Sequence, residues 1–121
     1  MGILERTNQV VTPQAIENRL ASLSKEVDDA HDFLEKAEHG YHQTKCEFEI
    51  VVATERLQFS GEKLRVQDVQ DIALSRCKEQ YRALNQAEAV VKAARANSTR
   101  IRTQVDIARS IGTSVRASLE I

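Results

Sequence analysis

Four arginines, Arg95, Arg102, Arg109 and Arg116, recur at every seventh residue near the end of the chain, and Asp106 is the single acid among them. A seven-residue step returns to nearly the same side of an α-helix, so the four guanidiniums form one basic stripe. Such a stripe can hold phosphates, meet the acidic face of another subunit, or be no more than the solvated flank of a packed seam. Long-range attraction to nucleic acid needs densely clustered cations, and only Lys92 and Arg100 lie nearby. No aromatic residue follows Tyr81, so no base has a ring to stack on. Phosphate contact is the most this stripe offers a nucleic acid.

A second constellation, Glu35, His39, His42 and Cys46, is spaced four, three and four residues apart along one side of a helix. Carboxylate, imidazole and thiolate are the groups a zinc site uses. Strung over more than two turns, they cannot all reach one ion, and solvated surface is the simpler reading. His39, His42 and Cys46 remain as candidate ligands only if a neighbouring subunit completes the site. Cys46 and His42 also have the spacing of a nucleophile and its base, but a smooth helical surface supplies no oxyanion hole. The chain contains no phosphate loop and no dinucleotide fingerprint. These absences lead us to expect a protein that is not an enzyme and that uses no cofactor.

The elements that position these residues follow from the apolar spacing. Thr12-Pro13 is a helix start, with Thr as the cap and Pro at the first helical position. From Ile16 the apolar positions alternate by four and three through Leu20, Leu23, Val27, Ala30 and Leu34 to Val51. That is a heptad seam. It predicts a first helix over about 13–59, closed by Gly61 in the left-handed conformation. Beyond the turn the seam resumes from Val66 through Ala73, Cys77 and Leu84 to Leu119, with Gln70 and Gln80 filling two gaps. Asn97-Ser98-Thr99 could break this second helix, but the heptad phase survives across it and predicts continuity.

The expected fold class is therefore all-α: an N-terminal arm over 1–12, then a long antiparallel helical hairpin, a coiled coil, over 13–121 with its turn near 59–62. Folding about Gly61 pairs Leu20 with Ile101, Ile16 with Val105, Arg102 with Glu17, Arg95 with Ser24 and Glu47 with Arg76. Ile50, Val52, Leu57, Leu64, Val69, Ile72 and Leu74 fall largely off the seam and form an apolar patch near the turn. Two helices alone bury little surface, so the patch is expected to dock a second copy, as a four-helix bundle, or another protein.

Composition agrees with this outline. Charged residues make up 29% of the 121-residue chain and aromatics 4%, with one Pro and four Gly. Residues 1–60 carry a net −5 and residues 61–121 a net +4. No apolar run approaches the roughly 20 residues of a membrane span. MGILERTNQV has no secretory core, and Cys46 and Cys77 form no disulfide framework, so a soluble, cytoplasmic protein is expected.

Two resemblances accompany these residues. Phe59-Ser60-Gly61 at a hairpin turn resembles the Trp-x-Gly turn of the small hairpin dimers of type VII secretion, with Phe in place of Trp. The heptad run and the closing RTQVDIARSIGTSVRASLEI are similar in style to small all-helical accessory proteins of bacteriophages and prophages. That second likeness implies a protein that works by binding another protein. The expected function is a self-associating helical interaction protein with a protein partner. The alternative is a nucleic-acid-associated accessory protein that places Arg95, Arg102, Arg109 and Arg116 on phosphates.

Overall fold

A computed structural model describes residues 11–59, 61 and 65–120. Leu64 of the expected apolar patch, and all but the last two residues of the expected N-terminal arm, lie outside them. The described residues are all-α: α1 runs Pro13–Leu57, α2 Val66–Arg76 and α3 Lys78–Leu119. By contacts the chain forms two compact units, residues 1–31 with 97–121, and residues 32–96.

The start of α1 follows its sequence. Thr12 Oγ1 accepts the Ala15 amide at 3.1 Å, satisfying one of the free donors of the first turn. Its end differs from expectation. No described glycine has positive φ, so Gly61 does not close the helix in the left-handed conformation. Instead α1 stops at Leu57 with tightened bonds, the Gln58 amide to the Glu55 carbonyl at 3.2 Å and the Phe59 amide to the Arg56 carbonyl at 3.0 Å. Arg76 fastens this end. Its guanidinium donates to Glu55 at 3.3 Å and Gln58 at 3.0 Å, and lies 4.9 Å from the centre of the Phe59 ring.

The second helical stretch passes through Asn97-Ser98-Thr99 unbroken, as the heptad phase requires. Its interruption falls at Cys77, which carries neither the Pro nor the Gly that usually signals one. With φ −107° and ψ 31°, the Cys77 amide is shared between the Ala73 and Leu74 carbonyls at 3.1 Å each, a one-residue tightening. The Cys77 carbonyl still accepts the Tyr81 amide at 2.9 Å, so α3 restarts at once.

In the first unit, Ile16, Leu23 and Ala30 of α1 are buried together with Ile101 and Ala108 of α3. In the second, Val52 packs with Ala73 and Cys77, and Phe48 and Val51 lean on that cluster. The Phe48 and Tyr81 rings lie 5.9 Å apart beside it. Within each unit the segments run antiparallel, but the register is not the expected one. Ile16 faces Gly112 rather than Val105, its Cγ2 lying 3.2 Å from where a Cβ on that glycine would stand. Arg76 meets Glu55 rather than Glu47. Both pairings are displaced by roughly two helical turns, close to one heptad. An apolar repeat specifies alignment only to within one repeat, and placing the turn at Gly61 selected the wrong neighbour.

Candidate functional site

Of the arginine stripe, Arg95 is engaged in the second unit. Its Nη2 lies 3.3 Å from Glu38 Oε1, so the expected pairing with Ser24 is replaced. The pair is half-exposed on both sides and contributes a few tenths of a kcal/mol at most. In the first unit Arg102 and Arg109 edge an open groove of about 440 Å³ with Leu20, Ser24, Val27, Val105 and Asp106. Neither is within salt-bridge distance of a carboxylate among the described residues, Asp106 included. Arg116 and Glu17 share a smaller hollow with Ile16 and Gly112. The expected Arg102–Glu17 pair therefore does not form, and the register displacement is the reason: it carries Arg102 away from Glu17 to the groove beside Ser24 and Val27.

The apolar patch near the turn is partly dismantled. Ile50, Leu57 and Leu74 are exposed, Leu57 by 71%. Val69 and Ile72 are half-buried. Val52 belongs to the core instead, since small Ala73 and Cys77 leave room for it against α2. Val66, expected in the seam, is exposed and extends what remains of the patch. Leu119, at the far end of the expected seam, is exposed as well.

The candidate metal ligands diverge. His39 borders a hollow with Asp32, Glu35, Lys36 and Gly40, whereas His42 borders another with Glu38, Tyr41, Glu88 and Arg95. The His42 ring is tilted against Tyr41 at 5.6 Å. Among the described residues no three His, Cys, Asp or Glu side chains stand close enough to hold one ion. Cys46 is exposed and Cys77 fully buried, and both are free thiols. Burial pushes the Cys77 thiol pKa up, and the nearby Glu55 carboxylate adds to the rise. Cys77 is thus a neutral packing group, as its seam position suggested.

Sequence reasoning singled out no function for Phe33, Val90, Ile107 and Ile111, which are also exposed. The signal was available, because each sits one residue before a seam position, on a single flank. Among the described residues no helix is long and apolar enough to cross a membrane. The chain matches no known protein family, no curated protein and no solved structure.

Proposed function

We propose that this chain is a non-enzymatic helical interaction protein, a hairpin that self-associates and binds another protein through a helix face. One observation carries the reading: among the described residues, large apolar side chains are left facing water, with Ile50, Leu57, Val66 and Leu74 around the α1–α2 connection. Surface of this kind favours a partner that removes it from water, at about 25 cal/mol per Å².

The test is gel filtration with light scattering at low and high salt, recording absorbance at 260 and 280 nm. The reading expects a mass above 13.6 kDa and a protein-like ratio at both salts. Leu57→Asp with Leu74→Asp should abolish capture of the protein partner without loss of helicity. A second reading is supported by Arg102 and Arg109, whose guanidiniums have no carboxylate in contact among the described residues. In it the arginines rest on phosphates. A 260 nm excess that high salt strips away would put that reading first and sink the protein-partner one.

A further inference from the structure

In the first unit the seam is split. Ile16, Leu23 and Ala30 on α1, and Ile101 and Ala108 on α3, recur at every seventh residue and are buried. The seam positions between them, Leu20 and Val27 on α1 and Val105 on α3, are only half-buried. Two helices packed squarely on their seams would cover both sets alike. Here each helix is turned so that one set meets its neighbour and the other forms the floor of the open groove of about 440 Å³. The two flanks differ as well. On one, Arg19 Nη2 donates to Gln104 Oε1 at 3.3 Å and ties α1 to α3. On the other, the α3 edge of the groove carries Arg102 and Arg109, and the α1 edge carries uncharged Ser24. Neither arginine has a carboxylate in contact among the described residues, although Asp106 stands between them in the sequence.

We propose that this groove docks one helix of another protein, acidic along the flank that meets α3. The half-buried floor calls for apolar side chains above it, and a third helix laid along the groove supplies them at the same seven-residue repeat. Leu20 and Val27 lie about 10 Å apart along α1, as do Arg102 and Arg109 along α3, so the contact is about two turns long. The rim selects the charge. Carboxylates one heptad apart on the incoming helix can meet the two guanidiniums, whereas Asp106 repels a carboxylate placed midway. Ser24 offers no charge to match, so the opposite flank of the occupant is neutral. A phosphate backbone would satisfy the arginines but would leave Leu20, Val27 and Val105 against a polar surface. A second copy of this chain lacks the pattern. Beside its exposed Ile50 and Leu57, Glu47 is followed seven residues on by Thr54 and Glu49 by Arg56. Beside its exposed Ile107 and Ile111, the one acid between residues 97 and 119 is Asp106. The patch around the α1–α2 connection belongs to the other unit, and the groove rests neither on that patch nor on self-association.

The probe is a fluorescein-labelled helical peptide of about 21 residues, with Leu on its seam, Glu along one flank and Gln along the other. Its fluorescence anisotropy is followed on titration with the full chain, and circular dichroism checks the helicity of each variant. Wild type should bind the peptide saturably. Arg102→Glu with Arg109→Glu should weaken binding about 10-fold, because two attractions become two repulsions, each small at an exposed rim. The same variant should regain that loss with a peptide whose Glu residues are replaced by Lys. Ser24→Trp, at an exposed position, should fill the groove and block the peptide with helicity retained. Leu57→Asp with Leu74→Asp should leave binding unchanged, which separates this test from that of the connection patch. Absence of saturable binding by wild type, or binding indifferent to both rim variants, overturns the inference. A duplex DNA probe that binds wild type more tightly than the peptide and displaces it overturns the inference in favour of phosphates. A dimer that the arginine reversal dissolves, with no peptide bound, overturns it in favour of a second copy.

Discussion

Substituting Gly112 tests the register directly. Alanine is favoured over glycine in a helix interior by about 1 kcal/mol, so Gly112→Ala would ordinarily stabilise α3. Here the new Cβ would lie 3.2 Å from Ile16 Cγ2 and 3.5 Å from Arg116 Nη2. Arg116 is exposed and can swing away. Ile16 cannot give so readily, because it is buried and its branched Cβ restricts it to one main rotamer. The strain should offset the propensity gain and leave Gly112→Ala within about 0.5 kcal/mol of wild type. Ile16→Ala removes the obstructing methyl at a cost of about 2–4 kcal/mol, and in that background Gly112→Ala should recover its full gain of about 1 kcal/mol. Urea unfolding of the four proteins, followed by circular dichroism, gives the coupling energy. We expect about 1 kcal/mol for this pair, and additivity for Ile16→Ala with Val105→Ala, the pair that a register one heptad away would join. Coupling under about 0.3 kcal/mol for Ile16 and Gly112 would refute the alignment described above.

Two further outcomes follow from burial. Leu23→Ala, at a fully buried position, should cost about 3 kcal/mol in the same assay, whereas Leu57→Ala should cost less than about 0.5; equal costs would contradict the assigned core. The raised pKa of Cys77 makes stability depend on alkaline pH. The fold favours the protonated thiol, so that contribution is intact below the unfolded thiol's pKa and is lost as pH rises past about 8.5. Melting curves from pH 7 to 10 should show wild type losing more stability than Cys77→Ala, and parallel losses would show that the thiol is not the cause.

The apolar period of α1 was fully legible: the alternating positions from Ile16 to Val51 are all buried or half-buried. The same holds on α3 from Leu84 to Val115, including Gly112, whose place in the seam makes sense once Ile16 is found filling the space it leaves. What the pattern could not supply was alignment. Sliding one helix by a heptad returns apolar residues to apolar residues, so weaker contacts decide, such as Glu38 with Arg95 and Glu55 with Arg76. Val52 was misjudged because its burial depends on two small residues, Ala73 and Cys77, in a different helix. The irregularity at Cys77 left no local trace in the sequence at all. Of the candidate site, the arginine spacing was visible, but which guanidiniums find carboxylates depended on the alignment and was not.

The contrast between the two thiols gives the molecule a built-in clock. At neutral pH a maleimide should reach Cys46 immediately, because that side chain is exposed. Cys77 is 0% exposed, so it can be alkylated only during the moments when α2 and α3 lift away from Val52. The slow second labelling event therefore counts openings of the 32–96 unit, with no residue replaced. Its rate measures the free energy that separates the packed state from the open one, at the point where the helix is already interrupted.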